Sequence, residues 1–181
     1  MTKDRLYPML PYIGIPVIGA MMLIVRARWL DPFILLQSEL IIIFGYVAAV
    51  LDIKLKRITN GLILAMMAAW LLIMIPKLFI DTDTAITLMA GAALGAAIGG
   101  GLFLIVYFIS RKGLGGGDVK FMAASGLYLG FNGILPSMLF GTVLAAIFSL
   151  SLIFLRKISR KDTIPLAPFL YIGILLTVFI T

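Results

Sequence analysis

The sequence predicts an all-α fold: a polytopic membrane bundle of six to seven helices, forming a single domain over residues 1–181. Three observations predict it. Hydrophobic residues make up 62% of the chain and charged residues 13%, against about 45–50% and about 25% in soluble domains. Mean hydropathy is +1.16. The apolar residues also fall into long runs, several close to the roughly 20 residues that a membrane span needs, separated by short basic or glycine-containing segments.

The first run, Pro8–Val25, follows Lys3 and Arg5 and has the charge pattern of a secretory leader. No small-x-small cleavage site follows it, so it reads as a retained helix. Phe33–Leu51, Asn60–Ile80 and Ala85–Ile109 are the next three spans. On the last of these, Gly91, Gly95 and Gly99 recur every four residues, with Ala92, Ala96 and Gly100 beside them. Small residues at that spacing let helix backbones approach closely. The fifth helix, Asp118–Phe131, has about 14 residues and a length of about 21 Å. It is too short for a hydrocarbon core of about 30 Å. Its Asp118 end therefore belongs below the membrane surface, where non-helical backbone needs protein or a wet cavity around it. Ile134–Leu155 and Ile164–Ile180 complete the set.

Charge orients the bundle. With the N-terminus inside, the inner segments carry 12 Lys and Arg residues and the outer ones 3, namely Arg26, Arg28 and Lys77. The positive-inside rule selects this arrangement, which places the chain in the cytoplasmic membrane as a multi-pass protein. The net charge of +7 then reads as contact with anionic membrane lipid. The basic residues are scattered over four segments, so no nucleic-acid partner is expected. The chain has neither cysteine nor histidine. Disulfides, cysteine-based zinc sites, histidine-ligated metals and a Ser-His triad are thereby excluded, and no metal or other cofactor is expected.

Against this background two carboxylates stand out. Asp52 closes the apolar run Leu40–Leu51, and Asp118 lies in Gly-Leu-Gly-Gly-Gly-Asp-Val-Lys, residues Gly113–Lys120. Both fall on the cytoplasmic side of the predicted topology. Carboxylates at the ends of membrane helices are costly and tend to serve a function. Two on one face can form a proton-sharing pair of the aspartic-protease kind. By the helix dipole, Asp52, which ends its helix, is expected to take the acid's part and Asp118, which opens one, the base's part. The plainer alternatives are a helix cap for Asp118 and a surface ion pair of Asp52 with Lys54, Lys56 or Arg57. Gly115, Gly116 and Gly117 are expected to let the backbone take positive φ and come close to an extended substrate. A phosphate loop is the rival use of such glycines, but the Gly-Lys-Ser/Thr ending is absent. Asn60 is expected to cap the helix it opens. Glu39 falls on the outer side and is expected to snorkel or to line a polar gap.

Three of these segments resemble the type IV prepilin peptidases. Asp52–Asn60, Asp-Ile-Lys-Leu-Lys-Arg-Ile-Thr-Asn, is similar to that family's first aspartate motif, with Thr59 in place of a proline. Gly115-Gly116-Gly117-Asp118 matches its Gly-x-Gly-Asp motif, followed by Val119-Lys120. Ile164–Phe169, Ile-Pro-Leu-Ala-Pro-Phe, is similar to its late Pro-x-x-Pro-Phe segment. The resemblance runs from about Phe33 to the C-terminus. It implies a membrane aspartic endopeptidase with Asp52 and Asp118 as the catalytic pair. Its substrates would be prepilin-like or prearchaellin-like precursors, which lose a short basic leader at the cytoplasmic face. The larger bacterial members carry an added domain with a cysteine-based zinc site and methylate the new N-terminus. This cysteine-free chain resembles the minimal, peptidase-only form. Two alternatives stay open on the residues alone. One is a small proton-coupled transporter using Asp52 and Asp118 as relay groups. The other is a membrane assembly scaffold built on the small-residue face of the fourth helix.

Overall fold

The computed structural model describes residues 31–110, 113–156 and 164–180. The expected first helix, Pro8–Val25, lies outside the described residues. The rest is helical: α1 Pro32–Leu55, α2 Asn60–Ile80, α3 Thr82–Ile109, α4 Gly116–Phe154 and α5 Ala167–Ile180. No strand occurs among the described residues. The first four helices are long and apolar enough to cross a membrane, and α5 is a shorter apolar helix.

Helix α4 contains the reversal that the sequence predicts between its fifth and sixth runs. Gly130 interrupts it with φ 63° and ψ −171°, a non-helical conformation at which two helices join. Only glycine takes such a backbone at little cost. The neighbours of α3 show how the two legs run. A Cβ at Gly95 would meet Gly126 and Gly130, whereas one at Gly99 would meet Met122 and Ile134. Further along, Leu102, Phe103 and Val106 share a groove with Leu135, Met138 and Thr142. As residue numbers rise along α3, its neighbours fall along the first leg, 116–129, and rise along the second, 131–154. The legs are therefore antiparallel, and both pack on α3.

Close backbone approach holds these elements together. A Cβ at Gly126 would collide with the Gly95 backbone, and one at Gly173 with the Ser137 carbonyl. Gly91 differs from the expectation. A Cβ there would meet nothing within 4 Å, so the close face begins at Gly95. Gly126→Val is expected to destabilise the bundle by at least about 1–3 kcal/mol, the usual range for overpacking. Gly91→Ala should be near neutral. Thermal unfolding in detergent checks both.

The end of the bundle away from Asp52 and Asp118 has its own fastening. Lys77 is buried on α2 and lies 3.8 Å from Asp31 and 3.7 Å from Asp81, with its ammonium 5.0 Å from the Phe33 ring centroid. Asp31 caps α1 by accepting from the Phe33 N–H at 2.8 Å. Asp81 caps α3 by accepting from the Thr84 N–H at 3.3 Å. Hydrogen bonding to Thr84 and, less strongly, the Lys77 cation hold the Asp81 carboxyl below the usual carboxylate range. A lowered folded-state value means that this contribution to stability is present at neutral pH and lost as pH falls through it. Both aspartates are about half exposed, so solvent screens these pairs.

Candidate active site

Asp52 lies in the last turn of α1. The helix ends three residues later, where Lys56 takes a left-handed conformation at φ 52° and its N–H closes on the Asp52 carbonyl at 2.8 Å. Asp118 is the third residue of α4. The residue before that helix, Gly115, supplies no side-chain cap, and its carbonyl accepts the Asp118 N–H at 3.1 Å. The plainer alternative for Asp118, a helix cap, is thus not formed, because the helix starts two residues earlier.

Helices α1 and α4 bring the two aspartates to one pocket of about 320 Å³, lined also by Lys56, Gly113, Leu114, Gly115, Ile164, Pro165 and Leu166. Asp52 is 6% exposed and Asp118 8% exposed. Asp52 forms no ion pair with Lys54, Lys56 or Arg57. Instead its Oδ2 accepts the backbone N–H of Ala167 at 2.9 Å. Asp118 Oδ1 is buried and has no hydrogen-bond partner among the described residues. An unsatisfied buried carboxylate oxygen is costly, and here it belongs to a group on the wall of an open cavity.

The pocket is built at helix ends. Its two short helical elements, the first leg of α4 and α5, both start at it. Gly99 is level with Met122, and α3 runs on to Ile109, about 6 Å past the start of α4,. Gly141 is level with Leu170, and the second leg continues to Phe154, about 15 Å past the start of α5,. The longer neighbours therefore run past the starts of the two short elements, while the pocket itself is lined by the ends of α1 and α4 and by residues 113–115 and 164–166.

The three glycines divide. Gly115 lines the pocket, and a Cβ there would lie 2.8 Å from Asp118 Oδ2. Its missing side chain makes room for the carboxylate. Gly117 packs on the loop after α1: its Cβ would lie 3.2 Å from Ile58 Cβ and 3.3 Å from the Ile58 N and O. Gly116 has open space around it among the described residues. None of the three takes positive φ, because Gly116 and Gly117 are already helical. What this turn requires of glycine is close approach.

Asn60 also departs from expectation. It is the first residue of α2, and Thr59 occupies the cap position without a side-chain hydrogen bond. The Asn60 Oδ1 instead accepts from Lys120 Nζ at 2.9 Å. Sequence reasoning missed Ala167, whose contribution is a backbone N–H. The motif around it, Ile164–Phe169, was the available signal.

Residues 39–150 match the type IV leader peptidase family. The chain belongs to this family. Among its relatives, the prepilin leader peptidase/N-methyltransferase of Xanthomonas campestris pv. campestris is 28% identical over 128 residues, covering 68% of this chain and 42% of that protein. The leader peptidase HopD of Escherichia coli is 39% identical over 92 residues, covering 45% of this chain and 57% of its own length. The Bacillus subtilis prepilin leader peptidase/N-methyltransferase is 28% identical over 83 residues, covering 46% of this chain and 34% of that protein. The chain thus spans about a third to just over half of the length of these leader peptidases. No solved structure matches it. Together, family and apolar helices describe a multi-pass membrane protein.

Proposed function

We propose that this chain is an aspartic endopeptidase of the cytoplasmic membrane. It removes the short basic leader from prepilin-like or prearchaellin-like precursors at the cytoplasmic face. The observation that carries this reading is the convergence of Asp52 and Asp118, from two different helices, on one pocket. Family membership favours a peptidase over a proton relay or a scaffold.

The chemistry is general acid–base hydrolysis. The roles reverse the division expected from the helix ends: Asp52 is oriented by the Ala167 N–H on its Oδ2, leaving Oδ1 to take a proton from water. That water attacks the scissile carbonyl carbon. Asp118, whose Oδ1 has no partner among the described residues, gives its proton to the carbonyl oxygen. Collapse of the tetrahedral intermediate breaks the C–N bond, the proton gained by Asp52 goes to the leaving amine, and a hydroxyl of the intermediate returns its proton to Asp118 as the new carboxyl group forms. Each proton-transfer role of this kind contributes about 10²–10⁴-fold. Gly115, on the pocket wall, leaves space for an extended peptide over the Asp118 carboxylate, and Gly116 and Gly117 continue that turn.

Topology offers the first test. The chain has no cysteine, so single cysteines report cleanly. Arg57→Cys and Gly113→Cys should label from the cytoplasmic side and Thr82→Cys from the other. Labelling of Arg57→Cys and Gly113→Cys from opposite sides would separate the aspartates and end the peptidase reading. A chelator should leave precursor cleavage unchanged.

A further inference from the structure

The two aspartates of the pocket sit on α1 and α4, which touch further in through the Phe44 and Tyr128 rings, 6.4 Å apart, but the segments that carry the aspartates need a link of their own to hold their relative position. The structure assigns this task to the Asn60–Lys120 hydrogen bond. We propose that Asn60 and Lys120 are positioning residues that clamp the Asp52 segment to the Asp118 segment. The inference rests on the peptidase reading of the same pocket.

The geometry is a closed loop of short links. Asp52 lies near the end of α1, and the four residues 56–59 lead from α1 to Asn60, the first residue of α2. Asn60 Oδ1 accepts from Lys120 Nζ at 2.9 Å, and Lys120 is two residues beyond Asp118 on α4. Midway, Ile58 is buried against Gly117, the residue before Asp118. The loop from α1 is thus attached to the first turn of α4 at two points, one polar and one steric. On the other side of the pocket Asp52 is tied to the start of α5 through Ala167. Among the described residues no direct bond joins Asp52 to Asp118.

Both clamp residues are exposed. An exposed hydrogen bond contributes little to overall stability, because water replaces either partner when it is lost. Its value lies in register. A misplacement of about 1 Å between reacting groups can cost about 10²-fold in rate. A clamp of this kind therefore acts on turnover without carrying the fold.

The test uses the purified full chain in detergent with a prepilin-like precursor, and compares Asn60→Ala, Asn60→Asp, Lys120→Met and the Asn60→Ala/Lys120→Met double variant. Wild type and Asp118→Asn set the upper and lower limits of cleavage. The clamp predicts that Asn60→Ala and Lys120→Met each lower kcat about 10-fold or more, with KM within about 2-fold and the unfolding temperature nearly unchanged. The double variant should be no slower than the slower single one, because one bond can be broken only once. Asn60→Asp keeps an acceptor for Lys120 and should restore most of the rate. Multiplying effects in the double variant would overturn the clamp, as would a wild-type rate in either single variant. A normal Asn60→Ala beside a defective Lys120→Met would do the same, because Lys120 would then act through its charge alone. A loss that follows the unfolded fraction, with kcat per folded molecule unchanged, would also overturn it. If wild type itself cleaves no precursor, it is the peptidase reading that fails.

Discussion

Asp52→Asn and Asp118→Asn should each reduce precursor cleavage by at least about 10²–10⁴-fold, the range that one proton-transfer group supplies. The two effects should not compensate one another. Each carboxylate moves a different proton, so removing either one stops the cycle. The substitutions are nearly isosteric. Asn at position 52 still offers an oxygen to the Ala167 N–H that Asp52 Oδ2 accepts. Asn at position 118 replaces a group whose Oδ1 has no partner to lose among the described residues. Both variants should therefore insert and fold as the parent does. Cleavage on a gel, with thermal unfolding measured beside it, checks both halves. Near-normal turnover in either folded variant would contradict the paired mechanism.

The second large effect is expected at Gly117. A valine there places a branched carbon where even a single Cβ would be 3.2 Å from Ile58 Cβ and 3.3 Å from the Ile58 backbone N and O. Backbone cannot yield as a flexible side chain can, so the loop after α1 must move away from α4. That displaces Asp52 relative to Asp118, and a shift near 1 Å costs about 10²-fold. Gly116→Ala is the control. Its Cβ would meet nothing within 4 Å, and alanine favours the helix over glycine by at most about 1 kcal/mol. Cleavage should therefore stay within a few-fold of normal. Equal, near-normal rates in both variants would show that the turn is only a connector.

Much of this architecture was legible in the sequence because a membrane helix announces itself by length and apolarity alone. The expected span Asn60–Ile80 is the observed α2. The short run beginning near Asp118 is the first leg of α4, and the break predicted after Phe131 falls at Gly130. The aspartates were legible because a carboxylate at the end of an apolar run is expensive. What sequence could not supply is contact between distant segments. The sequence offers Asp52 a neighbouring Lys or Arg as partner, but its carboxylate is bound instead by the start of α5, through the Ala167 N–H. Asn60 looks like a cap because it opens a helix, yet it spends its side chain on Lys120. The three glycines look alike in sequence. Their separate uses, room for a carboxylate, contact with Ile58 and open space, depend on what packs against each one.

The most direct measurement is the cleavage itself. Purified protein in detergent is incubated with a prepilin-like precursor, and the new N-terminus is read by mass spectrometry. The account predicts one cut, at the junction between the basic leader and the apolar segment. The cut should appear with wild type, be absent with Asp52→Asn and with Asp118→Asn, and be indifferent to a chelator. Failure of wild type to cut any of a panel of such precursors, or the same cut made by either folded Asn variant, would contradict it.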